Sequence, residues 1–583
     1  MEAFVRDEKE VCVSEFRNFF SRMKAKIAEK IARLVGKDTR EVFYLLEKPK
    51  KEMHGHMMLP VARIDRNFSA LQGKINDMLT TDPELSGIIE KTATTGPFIN
   101  IHLKKGLVRK EVLEEIAEHG EKYGHATFGK GRRLIIDTSS PNIAKPFHVG
   151  HLRSTIIGNF FKNVTRACGY DARTLNYLGD WGKQYGLLAV GYGKYGDETL
   201  LEEDPIAHLF DVYVRINADA DTDETIHEKA REYFKKMEEG GEEELATWRR
   251  FKEKSIAAYM KIYSLFQIDF DVWSGESLYE GRMDASVKEL EQKNLLVDSK
   301  NALCVDLTDR KLGMAMIRKS DSTSLYLTRD IAAAEDRVVN MGADRLVYVV
   351  AAPQDHHFAQ LFAIFEKAGK PYARDCVHIN YGLVAGMKTR KGSVVFLEDV
   401  IEDTKKKILE TMAKHKEKSE LIENQDHVAN VLAVSSISVQ DMAAKRVKDY
   451  VFDYSRVTSF EGDTGPYLQY THTRLASIER KAALPADFAW DISLLKEDIV
   501  QETVEYLGRY PEIVVEACVG AEPCVIVGYL MKLSHMLSSC IEKVWVAGQE
   551  ENTAKARLGF YRAAKRVVGN GLRILGLEPL ERM

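Results

Sequence analysis

Apolar residues recur every three or four positions in the N-terminal part of the chain. This spacing predicts amphipathic helices at residues 10–36 and 68–79. Residues 61–65 have the composition of a short strand, and residues 95–103 alternate between apolar and polar positions as a strand does. We therefore expect residues 1–108 to form a small α+β domain.

The middle of the chain alternates apolar runs with segments of helical period. Residues 134–136 and 345–350 are short and strongly apolar, like strands that are buried on both faces of a parallel sheet. Residues 170–182 indicate a further strand that ends in a Gly-Asp-Trp-Gly turn. Strands that alternate with helices favour a Rossmann-like parallel-sheet domain, which we place at 129–419. A charged, helix-rich insertion at about 192–290 interrupts this domain.

Residues 420–583 show only helical periodicity and predict an all-α bundle. The last helix has four basic residues on one face: Lys555, Arg562, Arg566 and Arg573. This face could follow a phosphate backbone or could simply be solvated. The predicted fold class is a multidomain α/β protein, with the Rossmann-like domain between a small α+β N-terminal domain and an all-α C-terminal bundle.

Composition sets only broad limits on function. The 583 residues are 45% hydrophobic and 29% charged, which is ordinary for a globular protein of several domains. A net charge of −5 means that any nucleic-acid binding must depend on local basic faces. The seven cysteines include no Cys-x-x-Cys pair, which argues against a zinc site or a disulfide framework. No signal-peptide pattern or run of ~18 apolar residues is present, so we expect a cytosolic protein without membrane contact.

The stretch from Asp137 to His151 concentrates candidate chemistry. A buried strand, a turn cluster with two prolines and a helix start follow one another, and this arrangement binds anions at helix N-termini. His148 and His151 can donate hydrogen bonds to phosphate oxygens, while Gly150 leaves room for a flat base. Lys145 adds a cation just upstream. The alternative is that two histidines and a glycine meet at a helix start by chance.

Five polar residues fall at or just beyond the carboxyl ends of predicted parallel strands, where α/β proteins bind ligands. They are Asp137, Asn142, Tyr326, Asp330 and Gln354. Asp137 and Asp330 offer charge to a planar cation such as a guanidinium, and the other three offer orientation. Tyr326 is predicted to end a short strand, with Thr328 capping the helix that follows. Alternatively, Asp330 only complements the helix dipole, which contributes about 0.3–1 kcal/mol.

Residues 139–154, Ser-Ser-Pro-Asn-Ile-Ala-Lys-Pro-Phe-His-Val-Gly-His-Leu-Arg-Ser, resemble the HIGH signature of class I aminoacyl-tRNA synthetases in its arginyl-tRNA synthetase form. Further similarities extend over almost the whole chain. The resemblance assigns the arginine substrate to four residues: Asn142, Tyr326, Asp330 and Gln354. Asp137 stands where the family often has a glutamate, and its shorter reach leaves its role open. The stretch at 192–290 is similar to the connective insertion of the class I fold.

A basic loop at 386–393, Gly-Met-Lys-Thr-Arg-Lys-Gly-Ser, stands where class I enzymes carry the KMSKS loop. Gly386 and Thr389 replace two lysines of that pattern, as in many arginyl-tRNA synthetases, where a lysine matching Lys145 is thought to compensate. The resemblance gives Met387 a part in ATP binding and leaves three cations for the pyrophosphate: Lys388, Arg390 and Lys391. A solvated basic hairpin is the alternative. The chain has no Gly-Lys-Ser/Thr phosphate loop.

Aromatic residues in the two terminal domains are candidates for RNA contact. Phe98 and Asn100 could stack on and hydrogen-bond to a base, or could simply face into and out of a sheet. The resemblance implies that the N-terminal domain contacts the outer corner of the tRNA. Tyr467 and Tyr470 share a helix face and match tyrosines that contact the anticodon loop in the family, and Trp545 is a further candidate.

The resemblance implies that ATP with Mg²⁺ activates L-arginine to an adenylate, which is then transferred to the terminal ribose of tRNA(Arg) for protein synthesis. It also implies a cytoplasmic monomer, and no structural metal is expected. Two other hypotheses stay open. One is a nucleotidyl-transferring enzyme of the same fold that uses another carboxylate. The other is a tRNA-binding protein without catalytic activity, which the altered KMSKS lysines favour.

Overall fold

The computed structural model describes residues 18–49, 54–299, 302–319, 326–385, 397–414, 422–453, 462–482, 484–485 and 488–583. The basic loop at 386–393 lies outside the described residues. The beginning of the predicted first helix and the residues just before Tyr326 lie outside them as well.

The N-terminal domain contains a three-stranded antiparallel sheet in which β3 lies between β1 and β2. Its elements are α1 (Phe19–Val35), α2 (Thr39–Leu45), β1 (Met57–Pro60), α3 (Phe68–Thr81), β2 (Ile89–Thr95) and β3 (Phe98–Leu103). The two predicted helices correspond to α1 and α3, and the strand predicted at 95–103 corresponds to β3. The strand predicted at 61–65 is wrong because the chain turns after Pro60, where the Ile64 N–H bonds to the Val61 carbonyl.

The central domain contains a five-stranded sheet with the order β11-β10-β4-β5-β6, in which all neighbours are parallel. Its elements, after the linking helix α4 (Lys105–His119), are β4 (Arg133–Asp137), α5 (Val149–Ala167), β5 (Asp171–Leu178), α6 (Lys183–Tyr195), α7 (Glu198–Glu203), α8 (Pro205–Ala220), α9 (Glu224–Glu238), α10 (Glu242–Leu265), β6 (Val272–Gly275), α11 (Met283–Gln292), β7 (Leu296–Ser299), β8 (Ala302–Asp306), β9 (Met314–Arg318), α12 (Tyr326–Val339), β10 (Arg345–Ala351), α13 (Asp355–Lys367), β11 (Cys376–Tyr381), β12 (Val384–Ala385) and α14 (Leu397–Ala413). The loop after β4 therefore opens at the carboxyl edge of the sheet, near its middle.

Within the range predicted for the insertion, 192–290, helices α7–α10 are followed by β6, which joins the parallel sheet beside β5. A four-residue strand, Val-Trp-Ser-Gly, is too short to show a period in the sequence. The position of β6 matters because it places the residues that follow it at the same sheet edge as the loop after β4.

The C-terminal domain is helical, as predicted. Its elements are α15 (Gln425–Met442), β13 (Tyr450–Val451), α16 (Gly465–Ala482), α17 (Asp498–Leu507), α18 (Tyr510–Gly520), α19 (Pro523–Lys543) and α20 (Glu551–Ile574). The exception within the described part of the chain is β13, which pairs in parallel with β12. This pairing connects the C-terminal domain to the strand that precedes the basic loop.

One hydrophobic cluster extends through the N-terminal, central and C-terminal domains. The packing is so close at Gly508 that a Cβ there would lie 2.6 Å from Phe20 and 2.8 Å from Val112. The guanidinium of Arg509 lies 3.9 Å from the centre of the Phe20 ring and donates to the His56 carbonyl at 2.7 Å. Buried packing thus fixes the N-terminal domain against the C-terminal bundle.

Helix α19 has the length and hydropathy of a membrane span, with a mean hydropathy of 1.5 in its most apolar window. This differs from the expectation that no segment would qualify. Half of that window is buried, and α19 packs against α17, α18 and α20. Its apolar residues therefore contribute to the core of the bundle.

Two of the four basic residues predicted on one face of the last helix, Arg562 and Arg573, pair with carboxylates outside α20. Arg562 and Lys565 lie 2.8 and 2.9 Å from the carboxylate of Glu479 in α16. Arg573 lies 3.4 Å from Glu121. Because these carboxylates come from distant parts of the chain, the sequence of the helix alone does not reveal them. We do not assign a phosphate track to this helix.

Candidate active site

The loop after β4 has an uncommon backbone conformation. Ser139, Ser140 and Ala144 have positive φ angles of 71°, 52° and 57°, which residues other than glycine rarely adopt. Such strain is typical of functional sites and persists only where neighbouring groups hold it. Here the Ser139 N–H donates to the Ser154 hydroxyl at 2.9 Å, and the Ser140 N–H donates to the Asn176 side chain at 3.1 Å.

Helix α10 of the insertion braces the same loop. The Tyr259 hydroxyl lies 2.7 Å from the carbonyl oxygens of both Asn142 and Lys145, and shares its proton between them. The Tyr263 hydroxyl lies 2.7 Å from the Ser139 hydroxyl. The insertion therefore supports the loop that leads to the two histidines.

His148 is the N-cap of α5, and its ring stacks on that of His151 with centroids 3.7 Å apart. The Gly150 N–H donates to His148 Nδ1 at 3.1 Å, and the His148 N–H donates to His151 Nδ1 at 3.5 Å. Since both Nδ1 atoms accept, each neutral ring carries its proton on Nε2. Burial, with His148 and Lys145 adding to it, lowers the pKa of His151 to about 3. Desolvation also lowers the pKa of His148, although its ring keeps an exposed side.

Gly150 and Lys145 complete the predicted group on this side. A Cβ at Gly150 would lie 2.9 Å from His148 Cε1, so a side chain there would displace the histidine. Lys145 Nζ lies over the ring of Tyr213 in α8, 5.5 Å from its centre, and its charge helps to lower the pKa values of both histidines. The structure thus brings the four predicted residues of the signature together at one helix start.

Asp330 is the centre of the predicted guanidinium pocket. Its carboxylate lies 2.7 Å from His357 Nε2. Tyr326 is one helical turn before Asp330 on the same face of α12, and is 69% exposed. Gln354 is exposed, three residues before His357 at the start of α13. The prediction that Thr328 caps the helix is wrong. Thr328 lies inside α12, and its hydroxyl donates to a carbonyl of β9.

The position of Asp137 differs from the prediction that it lines the guanidinium pocket. It is only 6% exposed, and its carboxylate lies 2.7 Å from Arg337 Nη2. The Ser140 hydroxyl donates to the other carboxylate oxygen at 2.9 Å. Burial raises the pKa of Asp137, and the Arg337 guanidinium opposes the rise. The carboxylate is therefore already paired within the protein, by an arginine that folding brings from a distant part of the chain.

Glu276 is not among the predicted residues, yet it lies at the same sheet edge, directly after β6. Its carboxylate is 3.5 Å from Arg329. Burial raises the pKa of Glu276 to about 7 against the opposing charge of Arg329, and Asp180 and Asp330 add to the rise. The buried Tyr177 hydroxyl interacts electrostatically with Asp330 and has no hydrogen-bond partner among the described residues. Glu276 could be recognised as a candidate by its position directly after a strand of the parallel sheet. The sequence does not reveal that strand, because the insertion separates β6 from β5.

Asn142 bridges to the neighbouring strand. It forms an isolated parallel bridge with Gly179, and a Cβ at Gly179 would overlap its side chain.

The Gly-Asp-Trp-Gly turn that follows is structural. Trp181 packs edge-on against a tryptophan of α10 at 5.3 Å, and buried Asp180 lies 2.6 Å from Lys252.

The two candidate RNA contacts of β3 differ in exposure. Asn100 is 3% exposed, and its amide donates to the Thr95 hydroxyl at 3.4 Å. A side chain buried to this extent does not reach a base, which corrects the prediction for Asn100. Phe98 is half-buried at the beginning of the same strand.

The three candidate RNA contacts of the C-terminal domain all have accessible surface. Tyr470 is exposed, with the Arg474 guanidinium 5.5 Å from its ring centre. Tyr467, one turn earlier on α16, is half-buried, and its hydroxyl lies 3.2 Å from His535 Nδ1. Trp545 is exposed just after α19.

Four predicted residues lie outside the described residues: Met387, Lys388, Arg390 and Lys391. In the described ranges, no group of three or more His, Cys, Asp and Glu side chains could hold a metal ion.

Three family models match the chain. Residues 112–454 match the model described as tRNA synthetases class I (R), catalytic domain, which covers more than half of the chain. Residues 468–583 match the DALR anticodon binding domain, and residues 21–103 match the arginyl tRNA synthetase N terminal domain. The first match includes α15 and β13, which lie beyond the domain boundary predicted at 420.

Similar proteins extend over nearly the full length. A probable cytoplasmic arginine–tRNA ligase of Dictyostelium discoideum is 44% identical, with 96% of this chain and 99% of that protein covered. The cytoplasmic arginine–tRNA ligase of Saccharomyces cerevisiae is 43% identical, with 97% and 95% covered. The arginyl-tRNA synthetase structure of Thermus thermophilus has the same fold, with a TM-score of 0.81 at 22% identity and coverage of 96% and 100%. The chain therefore belongs to the arginyl-tRNA synthetase family, the class I enzymes that ligate arginine to tRNA.

Proposed function

We propose that this chain joins L-arginine to tRNA(Arg) at the carboxyl edge of β4, β5, β6 and β10. In the first step the arginine carboxylate attacks the α-phosphorus of ATP, which arrives with Mg²⁺, and pyrophosphate leaves. In the second step the 2′-hydroxyl of the terminal ribose attacks the adenylate and AMP leaves. The observation that carries the proposal is that a neutral histidine pair at a helix start and a cluster of carboxylates lie at one sheet edge.

The residues on the ATP side act by position and charge rather than by covalent attack. The Nε2–H groups of His148 and His151 donate to phosphate oxygens as negative charge develops on them. Gly150 admits the adenine, and Lys145 supplies a positive charge beside the histidines. The basic loop adds further contacts, in which Met387 meets ATP and three cations share the pyrophosphate charge: Lys388, Arg390 and Lys391.

The arginine side recognises the guanidinium by its charge and planarity. Burial is the main cause of the raised pKa of Glu276, and the negative charge of Asp330 adds to it, so the two carboxylates interact electrostatically. A guanidinium between them brings a positive charge and donates hydrogen bonds in its plane to both carboxylates. Tyr326, Gln354 and Asn142 orient the substrate. A ligand without the guanidinium fork cannot make these charge-assisted hydrogen bonds, which is a basis for discrimination.

The tRNA spans the two terminal domains in this proposal. Phe98 contacts its outer corner, while Tyr467, Tyr470 and Trp545 offer stacking surfaces to the anticodon loop. We further propose a cytoplasmic monomer. Sedimentation equilibrium and cell fractionation test these two points, and a stable dimer or a mitochondrial fraction would contradict them.

ATP–pyrophosphate exchange in the presence of tRNA tests the substrate assignment. Only arginine should support exchange by the wild-type protein. In Asp330→Asn the KM for arginine should rise by about 100-fold or more, because loss of one partner of a desolvated ion pair costs about 3–5 kcal/mol. The KM for ATP should not change.

Asp336→Asn is the matched control, because Asp336 lies on the same helix and pairs with Arg282 instead. It should retain the wild-type KM for arginine. Exchange with a different amino acid, or equal KM values in the two variants, would contradict the pocket.

A further inference from the structure

One buried arginine lies where the signature helix, the strand before the basic loop and the segment from α15 to β13 meet. Arg153, two residues after the second signature histidine, is 1% exposed. Its guanidinium donates to the carbonyls of Gly382, Lys448 (3.1 Å) and Arg446 (3.0 Å). Its Nε lies 3.4 Å from the carboxylate of Asp441 in α15. A single side chain therefore binds α15, the segment that follows it and the segment before β12.

Two tyrosines enclose this guanidinium. The ring centre of Tyr450 lies 5.0 Å from it, and that of Tyr381 lies 5.8 Å from it. The Tyr450 hydroxyl donates to Asp441 at 2.9 Å. The Tyr381 hydroxyl donates to the carbonyl of Gly150 at 3.4 Å. The enclosure of Arg153 thus extends to the glycine of the signature.

The strand that leads into the basic loop is bound to the segment between α15 and the end of β13 at the same place. The Gly382 N–H donates to the Arg446 carbonyl at 2.9 Å, and the Phe452 N–H donates to the Ala385 carbonyl at 2.9 Å. A Cβ at Gly382 would lie 2.5 Å from the carbonyl carbon of Lys448, so the two segments are in direct contact. Ala385 is the last residue before the basic loop.

We propose that Arg153 is a positioning residue for ATP. By binding these carbonyls it fixes the distance between the histidines of α5 and the strand that leads into the basic loop. A guanidinium suits this role because it is permanently charged and donates its hydrogen bonds in fixed directions. Through Asp441 the same side chain anchors α15 to the ATP side of the site. This inference rests on the proposed function, because it assumes that the histidines and the loop contact the phosphates of ATP.

A purely structural ion pair would give a different result. Weakening it would reduce the amount of folded enzyme, and the KM values of the remaining enzyme would stay unchanged. A positioning role instead changes the KM for ATP and kcat while the KM for arginine is retained. The separation of these constants distinguishes the two roles.

Arg153→Lys tests the proposal because it keeps the charge and loses the planar fork. In ATP–pyrophosphate exchange with tRNA present, the KM for ATP should rise about tenfold and kcat should fall, with the KM for arginine within about twofold of wild type. Arg166→Lys is the matched control at the other end of α5, where Arg166 binds the Ala172 carbonyl and Asp271. It should behave as wild type.

Tyr450→Phe provides a second variant if Arg153→Lys does not fold, since it removes only the hydroxyl that binds Asp441. It should raise the KM for ATP in the same direction by a smaller factor. An unchanged KM for ATP in the folded variant, equal to that of Arg166→Lys, would overturn the inference and leave the proposed function intact. A wild-type protein without arginine-dependent exchange would contradict the proposed function instead.

Discussion

At the scale of single residues, charge is distributed unequally between the two sides of the site. Both signature histidines have lowered pKa values, so in the proposed function they meet ATP as neutral hydrogen-bond donors. Positive charge on that side is left to Lys145 and the basic loop. On the arginine side, burial raises the pKa of Glu276, and Asp180 and Asp330 add to the rise. In the proposed function, each side is complementary to the charge of its own substrate.

Replacement of Gly150 by alanine should separate activity from stability. The new Cβ would lie 2.9 Å from His148 Cε1 and would displace that ring from its stack. The KM for ATP should rise and kcat should fall, whereas the melting temperature should hold or increase, because alanine is the better helix former by roughly 0.5–1 kcal/mol. Exchange kinetics measure the KM for ATP and kcat, and differential scanning calorimetry measures the melting temperature. Unchanged kinetics would show that the position of His148 is unimportant.

The pKa of Glu276 predicts a pH dependence of arginine use. Glu276 is protonated below about 7 and charged above it, so kcat/KM for arginine should rise with pH through this value. The contribution of Glu276 to the free energy of unfolding changes with pH in the opposite direction. A carboxyl group whose pKa is raised from 4.5 to about 7 on folding stabilises at low pH, and that contribution is lost as pH rises across this interval.

Glu276→Gln should lower kcat/KM for arginine at high pH and remove the rise near 7, as measured by exchange rates across a pH series. A variant that keeps the wild-type profile would show that another group controls it.

At the scale of elements, the insertion helix α10 is expected to support catalysis from behind the loop. Tyr259→Phe removes the hydroxyl that binds the carbonyls of Asn142 and Lys145. Unfolding free energy should fall by about 1–3 kcal/mol, and kcat should fall with it because the strained loop relaxes. Tyr195→Phe is the matched control, since its hydroxyl makes one partly exposed contact with Asp219. Equal kcat in the two variants would contradict the bracing role.

Elements with a clear period, such as α1 and α3, or with a strongly apolar run, such as β4 and β10, were predictable from the sequence. The signature residues were predictable because they are consecutive in the chain. Three features were not predictable. They are the short strand β6, the pairing of Asp137 with Arg337, and the pairing of Arg562 and Arg573 of α20 with Glu479 and Glu121. Each depends on a contact between distant parts of the chain, which local periodicity does not encode.

At the scale of the whole molecule, the shared core predicts that the N-terminal domain and the C-terminal bundle unfold together. Gly508→Ala places a Cβ 2.6 Å from Phe20, and the overpacking should cost about 1–3 kcal/mol. Calorimetry should show one transition at lower temperature. Gly73→Ala in α3 is the control, because no atom lies within 4 Å of its added Cβ. An early separate transition of the N-terminal domain would contradict a shared core.

Charging of total tRNA with each labelled amino acid, by the wild type and by His148→Ala, tests the central claim most directly. We predict that only arginine is attached and that His148→Ala loses most of this activity while still binding tRNA. Attachment of another amino acid would contradict the assignment of Asp330 and Glu276 to a guanidinium. Undiminished charging by His148→Ala would contradict the role of the signature, and tRNA binding without any charging would favour a protein that binds tRNA without catalysis.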